Sequence, residues 1–324
     1  MDAPRVGVIG ARRRRQGLGP FVVRDLIAAG AEVPCFVGTS AETLKETASA
    51  LAVDSGVDAR GYLDLHDMLG AERLDALAVL SPAETHEVYL DAASRAGLHV
   101  LCEKPFLWKS CVPAERGRAI LDRFAAAKRV VVENCPWPWT LPAWASLHPR
   151  RRSAAPSTFE MFLEPADSGL QMLGDSLPHA LSLLQALIPG NAPRLDRVRY
   201  EGDPWDGPIV AAFRFRSGGH ATRCRVVLSP SAARPRRAGF VTDGQRAERR
   251  VVPGSYEITF SDGDRSVPVP DPMPRLVADF VSRVRRSTVE RERAERARIG
   301  DRLRLLDNLV RHYLACRGPD PRGG

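Results

Sequence analysis

Long hydrophobic runs are missing from this 324-residue chain. No apolar stretch approaches the roughly 20 residues a membrane helix needs. The arginine run near the start sits behind an apolar strand and ahead of Arg24 and Asp25, which spoils it as an export signal. The expectation is a cytoplasmic protein with no membrane partner. Aromatic residues are scarce, at 6%, and no helix carries a basic face interleaved with them. The net charge of +8, from 47 basic and 39 acidic residues, is almost entirely arginine and is spread along the chain. Nucleic acid is therefore not the expected partner; a small anionic molecule suits a local arginine cluster better. The six cysteines (35, 102, 111, 135, 224 and 316) show no CxxC pair and no metal spacing. Several lie in apolar runs such as "VPCFVG", where cysteine behaves as a small buried hydrophobe. Neither disulfides nor a metal site is expected, and there is no internal repeat.

What is present is an alternation. Strand-like runs occur at "RVGVIG" (5–10), "EVPCFVG" (32–38), "ALAVLS" (76–81), "HVLCEK" (99–104) and "RVVVEN" (129–134). Between them lie four stretches with apolar residues at three- and four-residue spacings, as amphipathic helices require. Thr39 and Glu42 occupy capping-box positions at the start of one of these helices. Strand–helix alternation implies a doubly wound parallel sheet, a Rossmann domain over 1–135. Beyond it the texture changes. "PWPWTLPAW" (136–144) is rich in proline and tryptophan, and one helix follows at 175–188. Alternating runs from 194 to 263 predict an open, largely antiparallel sheet with one wet face. A charged helical region over 275–316 has its apolar stripe at Leu303, Leu306, Leu309, Val310 and Tyr313. Residues 136–324 thus read as an α+β substrate and oligomerisation domain whose C-terminal helix, about 295–316, packs back on the first.

One further absence is chemical. The dinucleotide fingerprint G-x-G-x-x-G needs a second glycine at residue 12, where backbone approaches pyrophosphate. This chain has Gly10 and Ala11, then Arg12, Arg13, Arg14 and Arg15, with glycines only at Gly17 and Gly19. A plain surface turn explains the late glycines. Alternatively, guanidinium forks replace close backbone approach, or cap an adenosine 2′-phosphate. The second strand ends in Gly38, Thr39 and Ser40, where an NAD enzyme usually places an acid on the ribose. Hydroxyls beside four arginines favour NADP(H) over NAD(H).

Three motifs in order carry a resemblance. "GLHVLCEKPF" (97–106) is similar to the G-K-H-V-x-x-E-K-P signature of the Gfo/Idh/MocA oxidoreductases, the glucose–fructose oxidoreductase and inositol dehydrogenase group. "LSPAETHEVYLDAASRAG" (80–97) resembles the segment before it, and "MLGDSLPHALSLL" (172–184) resembles the family's G-x-x-x-D-x-x-x-H helix. The resemblance implies an NADP(H)-dependent oxidoreductase acting on a sugar, polyol or related carbonyl or imine. It also implies a homodimer or homotetramer and no catalytic metal. It assigns Lys104 to the nicotinamide end of the site, with Glu103 and Pro105 fixing the turn, and cofactor-pocket contact to Ser81, Pro82 and His86. Asp175 and His179, four apart and so on one helix face, become the acid–base pair; Asp175 alternatively caps a helix that has Pro178 in its first turn. Asn134, Trp137, Trp139 and Trp144 follow the last parallel strand, either as a stacking surface for substrate or as packing between domains. The alternative to an enzyme is a non-catalytic dinucleotide binder acting as a sensor, for which the altered glycine loop argues.

Overall fold

Hydrophobic segments that alternate with amphipathic ones bury their apolar faces by stacking helices on a parallel sheet. The computed structural model describes residues 2–12, 17–109, 113–149, 154–252, 255 and 257–318. It opens with β1 (Arg5–Ile9), α1 (Gly19–Ala28), β2 (Glu32–Val37), α2 (Ala41–Ser55), β3 (Arg60–Tyr62), α3 (Leu65–Ala71), β4 (Ala76–Val79), α4 (His86–Ala96), β5 (His99–Glu103), α5 (Ala114–Ala126) and β6 (Val131–Asn134). The six strands form one parallel sheet in the order β3-β2-β1-β4-β5-β6. Every residue of β4 is fully buried, as a central strand covered on both faces must be. The short β3 and α3 escape the sequence pattern because three residues show no period. The α2 cap sits one residue later than expected. Ser40, not Thr39, is the N-cap, and Thr43, not Glu42, completes the reciprocal box: Ser40 Oγ accepts from Thr43 N at 3.2 Å and Thr43 Oγ1 from Ser40 N at 2.9 Å.

The second sheet follows a 3-10 turn (Trp137–Thr140) and α6 (Leu141–Leu147). Its elements are β7 (Thr158–Leu163), α7 (Gly169–Leu187), β8 (Arg194–Gly202), β9 (Ile209–Ser217), β10 (His220–Leu228), β11 (Ala238–Thr242), β12 (Gln245–Val251), β13 (Ile258–Asp262) and β14 (Arg265–Val269). The order is β14-β13-β12-β11-β7-β10-β9-β8, antiparallel except where β7 meets β10. Burial along β9 alternates strictly, placing Ile209, Ala211, Phe213 and Phe215 inside; α7 packs on β10. The period is also present in β7, whose Phe159, Met161 and Leu163 are buried. It lies behind a proline- and serine-rich loop that obscures it. The helix expected from 175 begins at Gly169 instead, so Asp175 is not its cap and Pro178 lies in its interior.

The charged C-terminal region is two helices rather than one: α8 (Pro272–Arg285) and α9 (Val289–Arg317). Ser287 Oγ donates to Glu292 at 2.5 Å and Arg291 N to Thr288 Oγ1 at 3.2 Å, which marks the break. The chain resolves into two compact units. The first takes residues 1–109, 113–134 and 273–300; the second takes 110–112, 135–272 and 301–324. Within the first, Arg283 makes a buried two-pronged pair with Glu292, at 2.9 and 2.7 Å, and reaches the Val131 carbonyl of β6 at 3.4 Å. Within the second, the stripe Leu303, Leu306, Leu309, Val310 and Tyr313 is buried.

Candidate functional site

In the first unit, β1 ends at Ile9 and the chain turns at Gly10 with φ +82°. A Cβ there would lie 2.8 Å from the Leu80 carbonyl and Ser81 nitrogen, so both conformation and space demand glycine. Gly19 opens α1, and its Cβ would lie 2.4 Å from Gly10 O and 2.5 Å from Ala11 C. Gly10 and Gly19 together supply the tight turn and the close approach of helix to strand. The helix end is bare. Its N-cap, Leu18, has no capping side chain, no acid lies in the first turn, and Pro20 has no N–H. Amide donors and the positive end of the helix dipole are left for an anion. Such a cradle fits the pyrophosphate of a dinucleotide. Ala11 is buried, Gly17 lies in the coil before α1, and Arg12 pairs with Glu46 of α2 at 2.6 Å. Arg13, Arg14 and Arg15 lie outside the described residues.

The other expected cofactor residues follow the C-terminal ends of neighbouring parallel strands, where open α/β sheets bind ligands. Thr39 and Ser40 follow β2, and their hydroxyls and amides are engaged with Thr43. Ser81 and Pro82 follow β4; Ser81 Oγ meets Thr85 Oγ1 at 2.7 Å. His86 is fully buried. Its Nε2 faces Ser81 O at 2.9 Å and its Nδ1 faces Pro105 O at 3.0 Å. Burial holds its pKa below the ordinary value despite those carbonyls. The ring braces two loops rather than offering a surface, which corrects the expectation of direct cofactor contact.

Glu103 ends β5 and Lys104 follows it, partly exposed. Two side chains of β6 secure this turn. Asn134 Nδ2 donates to Glu103 Oε1, and the buried Glu133 accepts from the Phe106 amide at 2.9 Å. Asn134, expected among the substrate residues, is only 2% exposed, and its side chain serves the strand end. Glu133 was missed. Its signal is weak but real: an acid in the apolar run "VVVEN" needs a buried donor.

In the second unit, α7 carries Asp175, exposed, and His179, partly exposed, one turn apart. Pro178 between them leaves the Gly174 carbonyl without its intrahelical donor. The ring of Trp137 lies 6.4 Å from that of His179, edge to face. Trp137 also stacks on Phe260 at 6.4 Å and meets Phe240 at 6.1 Å. Trp144 contacts Phe240 at 5.9 Å. Both tryptophans are buried; Trp139 is partly exposed in the 3-10 turn. The aromatic group is thus largely a core beneath α7. Arg249 of β12 joins it, its Cζ 5.9 Å from the Trp137 centroid, and this residue too went unseen in the sequence.

A glycine-opened turn, an uncapped helix and four strand ends define a dinucleotide-binding domain of Rossmann type. Residues 4–134 match the profile described as "Oxidoreductase family, NAD-binding Rossmann fold". Over this domain the chain is similar to the Gfo/Idh/MocA family. Inositol 2-dehydrogenase from Klebsiella pneumoniae is 40% identical over 88 residues, 27% of this chain and 25% of that protein. The chain thus matches about a quarter of the length of such curated relatives. Over nearly the whole chain the fold is shared with solved structures. One is UDP-N-acetylglucosamine 3-dehydrogenase from Acidithiobacillus ferrooxidans (TM-score 0.68, 20% identity, 97% of this chain and 100% of that one). Another is an inositol dehydrogenase homologue from Azotobacter vinelandii with NADH and myo-inositol (TM-score 0.68, 17% identity, 98% and 96%).

Proposed function

We propose that the protein is a nicotinamide-dependent oxidoreductase of a sugar, polyol or related carbonyl compound, working as a homo-oligomer. The observation that carries this is the bare N-terminus of α1 held against Gly10 by Gly19. The nicotinamide, when bound, supplies or accepts a hydride. Lys104 donates a hydrogen bond to the substrate oxygen as charge develops on it. In the second unit His179 is the acid–base group for a substrate hydroxyl, and Asp175, on the same helix face, orients it. Glu133 and Asn134 are positioning residues that fix the turn bearing Lys104. Preference for NADP(H) is supported by the lack of any acid at Gly38, Thr39 or Ser40 and by Arg12 nearby. Glu46 offsets part of that charge.

The test is a titration with NADPH and NADH followed by tryptophan fluorescence. NADPH is expected to bind more tightly, and replacing Arg12 through Arg15 with alanine to abolish the difference. Freeing Arg12 by Glu46→Gln should tighten NADPH a few-fold, since an exposed pair is worth about 1 kcal/mol at most. Failure of both nucleotides to bind would sink the reading. In turnover, Lys104→Ala should lower kcat about 10²- to 10³-fold, as loss of one oxyanion donor does; unchanged kcat removes Lys104 from the chemistry.

A further inference from the structure

Five arginines on or beside the second sheet have acidic partners: Arg237 and Arg246 share Glu248, Arg214 and Arg216 share Asp196, and Arg225 meets Glu160. Arg249 does not. Strand alternation puts it on the same face as the fully buried Ala247. Its register neighbours are Ala238 on β11 and Phe260 on β13, both buried. Among the described residues its side chain has no hydrogen-bond or ion-pair partner, and its Nε is buried and unsatisfied. Its guanidinium lies against the ring of Trp137. An arginine cannot shed its charge at working pH, and a cation–π contact repays only part of the desolvation of a guanidinium. A methionine or leucine would suit this apolar neighbourhood better if stability were its purpose. Burial also depresses the pKa of Arg249, with no acid raising it.

The same indole that carries Arg249 meets the ring of His179, so the cation stands one ring away from the proposed proton-transfer residue. Resting on the oxidoreductase reading above, we infer that Arg249 receives an anionic group of the substrate, which is then a carboxylate- or phosphate-bearing sugar or polyol rather than a neutral one. A planar guanidinium with its fork unoccupied matches either group in two-pronged fashion. The partly exposed position of Arg249 leaves room for the approach.

The experiment measures dissociation constants of the full chain for glucuronate and glucose 6-phosphate against glucose, by calorimetry, for wild type, Arg249→Met and Arg249→Lys. At least one acid is expected to bind 10-fold or more tightly than glucose, the arm that does so naming carboxylate or phosphate. Arg249→Met should bring that ratio to about one, a loss of roughly 10- to 100-fold for a charged hydrogen bond. Arg249→Lys should keep part of it, so a misfolded methionine variant does not decide the matter. No preference for either acid, or a preference that survives Arg249→Met, overturns the inference. Nucleotide titration of the same wild-type sample separates the two readings: nucleotide binding without acid preference removes only the role of Arg249.

Discussion

Two glycines and a histidine show how much single residues determine here. Gly19→Ala forces a methyl to within 2.4 Å of the Gly10 carbonyl, an overpacking of about 1–3 kcal/mol, and should weaken nucleotide binding with it. Gly70, inside α3 with nothing within 4 Å of its would-be Cβ, is the control. Gly70→Ala should stabilise by about 0.4–1 kcal/mol, and denaturant midpoints check both. His99 offers a pH test. Its Nδ1 accepts from the Val130 amide at 2.9 Å, which requires the lone pair. Burial, with Arg129 adding, holds its pKa down to about 4. Below an unfolded value of about 6.5, the unfolded chain binds a proton that the native state refuses, so stability falls as pH drops from about 6.5 toward 4. The loss is at most about 3 kcal/mol, reduced by residual solvent contact. Unfolding midpoints of His99→Gln should fall less steeply over that window; equal slopes would exclude His99 as the cause.

Among the elements, the buried Arg283–Glu292 pair ties the last turn of α8 to the first turn of α9. Removing one partner strands the other charge, so Glu292→Gln should cost about 3 kcal/mol or more. Replacing both, as Arg283→Met with Glu292→Leu, should recover most of it in chemical denaturation. Parallel strands and their amphipathic helices were legible because each displays its own period. The α2 cap was displaced by one because Thr39, Ser40 and Thr43 offer competing hydroxyls, and only backbone geometry chooses among them. The start of α7 was hidden for a related reason: "DSLP" has the chemistry of a helix start, yet tertiary packing carries the helix through Pro178. Lys104, Asp175 and His179 were readable as a motif. Arg249 and Glu133 were not, since their meaning lies in what the opposite strands leave unpaired.

At the scale of the whole molecule, the sequence shows a change of texture near residue 135 and suggests a return to the first domain by a helix over about 295–316, whereas the segment that joins the first unit is 273–300 and residues from 301 on belong to the second. Nothing local marks which segment returns, because an amphipathic helix does not name the surface it covers. Among the described residues no helix is long and apolar enough to cross a membrane. The discontinuity of the first unit bears on how the protein is made. A ribosome that has finished all six parallel strands by residue 134 has yet to synthesise Arg283 and Glu292, the buried pair that meets the last of those strands. The nucleotide-binding unit is therefore completed only after the entire second sheet has been translated, and a gene fragment ending at residue 135 encodes a nascent chain missing part of its own core.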